Sequence, residues 1–440
     1  MSNNLIRYED GRMRGSLSAA QRVSPNEIQE ARRDAMARQA SGEQGWFGIL
    51  DDAGHLKAVK QAAERFGKIK NCLVLGIGGS DLGARAALAA MRLKDPKVKI
   101  WFAGDTTDPE ALDEVLDSVP WKNTTVNVIS KSGGTLETMA AFFAALERLE
   151  KAVGKTKAAE RVICTTDPDK GDLHDLALKA GYAILPVPHN VGGRFSVLTA
   201  VGLFPLALAG IKIEKLLDGA RQTRDDWMSA AGSSHAIDRF AAWHVAHDRA
   251  KRQIQTMLVY ASALEPSARW WRQLWAESLG KNVKRDGRKH YDGPTPVVFL
   301  GPTDQHSQLQ LYQDGPDDKV YTFLTVDNFR SKSKVPSAAK KFGPTADAAG
   351  KKFSDLLKAE AQGTAQALVD VGRPVGQLKL EKIDEAGFGA LVMFMEIATA
   401  VAGAIYGINA FDQPGVEASK IQAKKQLAGE KSTKSPEFVI

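Results

Sequence analysis

Cysteine is close to absent. Among 440 residues there are two, Cys72 and Cys164, each inside an apolar run. That placement excludes a disulfide-stapled scaffold and reads as two small buried hydrophobes. The opening stretch, MSNNLIRYED, has no apolar core of the kind a secretory leader needs, so a reducing, cytoplasmic setting is expected. Long apolar runs are scarce too. One, 387–411, passes the roughly 18 residues that a membrane span requires. It is rich in Gly and Ala, is interrupted by Glu396, and has no second span to accompany it. A buried core helix is expected there, and no membrane contact. Basic motifs interleaved with aromatics are also missing. The net charge of +7 is spread over local runs at 281–289, 330–341 and 424–434. Nucleic acid is therefore not an expected partner; a basic surface that draws in a small anionic substrate is.

What is present is an alternation. Short runs rich in Val and Ile, at 72–77, 98–102, 124–129, 161–165 and 183–187, read as strands. Between them lie helical patterns such as 136–151, where Met139, Phe142, Phe143, Leu146 and Leu149 recur at helical spacing. A second series has strands at 255–260, 296–300 and 320–326, with helices at about 346–368 and 383–406. Strand and helix in repetition imply an α/β chain with two doubly wound, mainly parallel sheets, joined through a helical stretch around 193–210. The expected division is an N-terminal helical or irregular segment at 1–45, a first domain at 46–190, a second with connecting helices at 191–410, and a C-terminal helix and tail at 411–440.

Two glycine- and hydroxyl-rich turns each end a strand and open a helix. The first runs Gly76-Ile77-Gly78-Gly79-Ser80-Asp81-Leu82-Gly83. A dinucleotide fingerprint would need glycine where Asp81 stands, and a P-loop would need Lys and Ser/Thr where Ala84 and Arg85 stand. Neither a dehydrogenase nor an NTPase is supported. The second runs Ser130-Lys131-Ser132-Gly133-Gly134-Thr135-Leu136-Glu137-Thr138. A helix N-terminus offers unpaired N–H groups and partial positive charge, and hydroxyls can turn a proton toward each oxygen of a phosphate. Capping the helix would need one hydroxyl; four are gathered here.

These turns, taken with Gly192-Gly193-Arg194-Phe195-Ser196, Glu277-Ser278-Leu279-Gly280-Lys281, Asp304-Gln305-His306-Ser307-Gln308 and Phe411-Asp412-Gln413-Pro414-Gly415-Val416-Glu417-Ala418-Ser419-Lys420, closely resemble the glucose-6-phosphate isomerase family in its shorter, bacterial type. Six motifs occur in the family's order from about residue 76 to 420, whereas the first 45 residues and the tail beyond Lys420 carry none. The resemblance implies two sugar-isomerase (SIS) domains with a C-terminal helix packed across them. It implies a homodimer with shared active sites, and reversible conversion of D-glucose 6-phosphate to D-fructose 6-phosphate, in glycolysis and gluconeogenesis, without metal or organic cofactor. By the same resemblance Glu277 is the base that moves the proton, and Arg194 stabilises the enediolate. His306, from across the dimer interface, and Lys420 help open the ring. Ser130, Ser132 and Thr135 hold the phosphate, Lys131 matches a family position but has other possible partners, and Gly79, Ser80, Gln273 and Gln413 contact the sugar.

The residue types suit that chemistry. Aldose–ketose isomerisation needs a well-placed, partly desolvated base, which the neighbouring Trp270, Trp271 and Trp275 suggest for Glu277. It also needs a fixed cation near a developing oxyanion, as arginine supplies. Gly133-Gly134 stands where animal relatives carry bulkier residues, so a more mobile backbone is expected there. His244 and His247 lie on one helical face with Asp248 beside them, but no third ligand is evident and a metal route is not expected. Two alternatives stay open: an enzyme that also isomerises mannose 6-phosphate, and a sugar-phosphate-sensing SIS protein without turnover.

Overall fold

The computed structural model describes residues 5–14, 17–291 and 293–430. The tail expected to fray lies largely outside the described residues.

Two five-stranded sheets organise the chain. The first contains β2 (Asn71–Leu75), β3 (Lys99–Ala103), β4 (Thr124–Ile129), β5 (Val162–Thr166) and β6 (Ala183–Pro186), in the order β3-β2-β4-β5-β6. All its pairings are parallel, with Asn71 opposite both Lys99 and Thr124. The strands β2, β4 and β5 are buried along their whole length, as a sheet covered on both faces requires. Alternate residues of β2 feed opposite cores. Cys72 and Val74 pack with Phe66, Phe204 and Met91, while Leu73 and Leu75 pack with Phe142, Leu149 and Leu173. Both cysteines are free and buried, and burial pushes each thiol up to about 12.

The second sheet has the order β1-β10-β9-β7-β8. It contains β7 (Ile254–Val259), β8 (Thr295–Leu300), β9 (Lys319–Asn328) and β10 (Val375–Lys382) in parallel. Strand β1 (Ile6–Arg12) is added antiparallel at the edge, with Ile6 opposite Leu380. The N-terminal segment, expected as helical or irregular, is thus partly a strand of this sheet. Neither β1 nor β10 was expected from the pattern. β1 is rich in charge, and β10 alternates apolar and polar residues because it lies near an edge with one wetter face. The helix expected at 346–368 begins later, at Phe353–Asp370, because Gly350 takes a left-handed conformation (φ 79°) and Lys334 bridges Lys352.

Between the sheets runs a helical layer. Glu385–Tyr406 is long and apolar enough to cross a membrane, but 89% of its most apolar window is buried inside the fold. It packs against Ile213–Ser229, Ala236–Arg249, Pro25–Ala40 and Glu265–Leu279. His244 and His247 sit in this layer, away from solvent. His244 is bonded to the Phe240 carbonyl (2.8 Å) and the Thr322 hydroxyl (3.1 Å), and His247 to the Met13 carbonyl (2.8 Å). Burial pulls them down to about 3 and about 4. Both rings serve structure. The C-terminal helix Glu417–Leu427 has no buried residue. Within a single chain it stands clear of the body rather than packing across it.

Candidate active site

In open α/β sheets, ligands bind beyond the carboxyl ends of the strands, where the chain leaves neighbouring strands in opposite directions. In the first sheet that point lies between β2 and β4, and the two turns singled out above follow those two strands. They open into a cleft of about 1140 Å³, ample for a small phosphorylated molecule.

The turn after β4 is built by its own hydroxyls. Buried Ser130 accepts from the Gly133 N–H (3.0 Å) and lies 3.3 Å from the Thr135 hydroxyl, and Ser132 accepts from the Gly134 N–H (3.2 Å). Thr135 is the N-cap residue of Leu136–Val153, yet its side chain makes no capping bond. It stays available to the cleft. Gly133 is demanded by geometry rather than by mobility: its φ is 75°, and a Cβ there would lie 2.1 Å from the Leu173 nitrogen. Lys131 is committed elsewhere. Its ammonium donates to the carbonyls of His189 (2.6 Å) and Val191 (3.0 Å), and burial lowers its pKa. The His189 ring lies between Asp169 and Asp167, at 2.8 Å from each, and bonding to these two carboxylates raises its pKa.

The turn after β2 meets the segment that carries Arg194. A Cβ on Gly79 would fall 2.2 Å from the Gly193 carbonyl carbon, so only glycine lets the two backbones meet. Ser196 ties them, donating to the carbonyls of Gly193 (2.7 Å) and Gly79 (3.3 Å). Behind Ser80, burial pushes Asp81 up to about 6 against the pull of Arg85, 2.5 Å away.

Arg194 is 2% exposed, and each of its five N–H groups has an acceptor. Nε donates to Ser278 Oγ (2.7 Å). Nη1 donates to Glu277 Oε2 (3.3 Å) and Gln413 Oε1 (2.9 Å). Nη2 donates to the carbonyls of Ala410 (2.7 Å) and Asp412 (3.0 Å). Glu277 sits near the end of Glu265–Leu279, with Oε1 accepting from Gln273 Nε2 (3.1 Å). Gln273 Oε1 is buried without a partner among the described residues. The helix turns its apolar face inward: Trp270, Trp271 and Trp275 are core residues, and none of them lines the cleft. The carboxylate therefore faces Arg194 and Gln273 rather than indole rings.

Gly79, Ser80, Ser130, Lys131, Ser132, Thr135, Arg194, Gln273, Glu277, Gln413 and Lys420 all border this one cleft. Lys420 is largely exposed and paired with Glu417 at 2.9 Å. His306 does not border it; it lies exposed on the short turn Thr303–His306 after β8. Sequence reasoning passed over Asp167 and His189, which also line the cleft, because no motif marks them; Asp412, another lining residue, stood inside a quoted motif without a role. Ser278 and Lys281 stood inside a quoted motif without a role.

The architecture and the sequence both have relatives. The phosphoglucose isomerase family model matches residues 53–437. A glucose-6-phosphate isomerase of Rubrobacter xylanophilus is 38% identical over 90% of this chain and 91% of its own. One from Carboxydothermus hydrogenoformans is 36% identical over 92% and 91%. Among solved structures, a hypothetical protein of Thermus thermophilus superposes with a TM-score of 0.88, at 33% identity, over 96% of this chain and all of that one. A glucose-6-phosphate isomerase of Chlamydia trachomatis shares the fold, with a TM-score of 0.73 at 24% identity over 88% of this chain and 76% of its own. A hydroxyl-lined turn and a carboxylate–guanidinium pair facing one cleft are thus set in a frame that these relatives share over most of their length, and the chain belongs to the phosphoglucose isomerase family.

Proposed function

We propose that the protein interconverts D-glucose 6-phosphate and D-fructose 6-phosphate. The observation that carries this reading is the single cleft in which the Ser130–Thr135 hydroxyls face the Glu277 carboxylate, itself held by Gln273 and Arg194. The hydroxyl turn holds the phosphate end, where no bond changes. That fixes C1 and C2 against the base, and orientation of this kind lowers the barrier by pre-paying entropy. Glu277 takes the proton from C2 of the open-chain aldose and returns it to C1. The adjacent guanidinium carries a charge that does not titrate away, suited to the enediolate oxygen. Gly79, Ser80, Gln273 and Gln413 contact the sugar hydroxyls. Lys420 and His306 assist ring opening, with His306 supplied by a second copy of the chain in a homodimer. The reaction needs neither metal nor organic cofactor and belongs in the cytoplasm, in glycolysis and gluconeogenesis.

The test is Glu277→Gln, which keeps the shape and removes the base. Turnover of fructose 6-phosphate is expected to fall by about 10³-fold or more while binding of the sugar phosphate persists. Near-normal turnover would remove Glu277 from the role. Binding of fructose 6-phosphate by the unmodified protein without any glucose 6-phosphate formed would overturn the enzymatic reading. Mannose 6-phosphate, assayed alongside, shows whether the C2 epimer is also used.

A further inference from the structure

Lys281 lies just past the end of the helix that carries Glu277, and its side chain is 7% exposed. A buried lysine is costly unless its ammonium is satisfied. Here the ammonium donates to the main-chain carbonyl of Glu277 itself and to the carbonyl of Asp412 (2.8 Å), with the Asp412 carboxylate 3.7 Å away. The Asp412 carbonyl is the same atom that accepts from Arg194 Nη2. Two cations from different parts of the chain thus converge on one carbonyl. The segment they hold carries Gln413, whose Oε1 shares Nη1 of Arg194 with Glu277. Phe411 in that segment packs on Phe195, the residue after Arg194, with ring centroids 5.3 Å apart.

We infer that Lys281 is a positioning residue: it clamps the 410–413 segment to the last turn of the Glu277 helix and so holds the base, Arg194 and Gln413 in one arrangement. This deepens the isomerase reading and rests on it for its kinetic consequence. Lys281 does not touch the substrate; it acts through the carbonyls of Glu277 and Asp412.

The clamp is sensitive to pH. Burial is the largest influence on Lys281, and with the repulsion of Arg194 it pulls the ammonium down to about 8, against the attraction of Asp412 and Glu277. Those three are the charged groups that act on it: Glu277 from its own helix, Arg194 from the turn Gly193–Phe195, and Asp412 from the segment it holds. As pH rises through about 8 the charge and one N–H are lost, and the clamp weakens. Global stability moves the other way. A lysine whose pKa is lower folded than unfolded binds fewer protons in the native state, so its contribution to stability rises with pH between about 8 and the unfolded value near 10.4. An alkaline loss of activity from this group is therefore local loosening and not melting.

The experiment compares the full chain with Lys281→Met and Lys281→Arg. For the unmodified protein, kcat for fructose 6-phosphate is expected to fall above pH 8 while KM changes little. Lys281→Met should lower kcat by about tenfold at pH 7.5 and lose that alkaline limb, because nothing is left to titrate. Lys281→Arg should restore most of kcat and keep it beyond pH 9.5, since arginine does not deprotonate there. Amide hydrogen exchange of the 405–416 peptide gives a readout independent of turnover. Its protection should drop in Lys281→Met at every pH, and in the unmodified protein only above pH 8 after correction for intrinsic exchange. An unchanged alkaline limb in Lys281→Arg, or unchanged protection of that peptide in Lys281→Met, overturns the inference. If Lys281→Met does not fold, the Arg variant and the pH series on the unmodified protein still decide. Absence of turnover in the unmodified protein would strike the isomerase reading alone, and the exchange data would still judge the clamp.

Discussion

Arg194 has no spare hydrogen in the cleft, and that constrains the proposed chemistry. An enediolate oxygen can take a donor only if Glu277 or Gln413 releases one. When Glu277 accepts the carbon proton it loses its charge, and its hold on Nη1 weakens. A donor is then freed as negative charge develops on the substrate oxygen, which is where such stabilisation counts. The motifs gave roles to Arg194 and Glu277 but none to Ser278, Lys281 or Asp412, because two of those contacts run through main-chain carbonyls that no side-chain pattern records. Another single residue stands out in the core. Glu396, in the middle of Glu385–Tyr406, is fully buried, and neither carboxylate oxygen has a partner among the described residues. Burial raises its pKa well above the usual carboxylate value. The native state thus holds a proton that the unfolded chain gives up above pH about 4.3, so stability from this group falls as pH rises from there. Glu396→Met, close in volume and without polar atoms, should stabilise the protein by about 1 kcal/mol or more at pH 8 and by less at pH 5. Urea unfolding at the two pH values checks this, and a loss of stability at pH 8 would mean that the carboxyl has a partner.

The hydroxyl turn after β4 shows what a sequence discloses about an element and what it hides. That four hydroxyls gather at a helix N-terminus was legible at once, as was the parallel-sheet setting, since β2, β4 and β5 read as uninterrupted buried strands. Why two glycines follow was not. Gly133 is fixed by its positive φ and by the nearby Leu173 backbone, a contact set by a helix some forty residues on. Nor could Lys131 be sorted from the phosphate ligands by pattern; only the His189 and Val191 carbonyls show where it is spent. The turn's hydroxyls divide similarly. Ser130 and Ser132 each hold a backbone N–H of the turn itself, so removing them loosens the cradle as well as deleting donors. Ser130→Ala with Ser132→Ala should therefore raise KM for fructose 6-phosphate by about tenfold to a hundredfold, equivalent to roughly one or two hydrogen bonds. The effect on kcat should be smaller. Steady-state kinetics with the double variant test this, and an unchanged KM would place the phosphate elsewhere.

At the scale of the whole molecule, the two-sheet plan was legible from alternation, while the edge strand β1, its neighbour β10 and the connections of the chain's two ends were not. These two strands carry too much charge to stand out, and their pairing joins Ile6 to Leu380, far apart in sequence. The most informative mismatch is between the motifs and a single chain's cleft. Eleven of the twelve site residues border it, and His306 faces solvent on another surface. Lys420 reaches the rim on a helix that buries nothing against its own body. Both fit a site completed by a second copy related by a two-fold axis, as in most homodimers. Complementation tests this directly. Glu277→Gln and His306→Ala should each form nearly inactive dimers. Co-expressed in equal amounts, half the dimers are mixed, and each mixed dimer keeps one site with both residues intact. About a quarter of the unmodified activity should return, from a simple count of sites under two-fold symmetry. Mixed dimers confirmed by differential tags yet devoid of activity, or a fully active His306→Ala protein, would remove His306 from the partner's site.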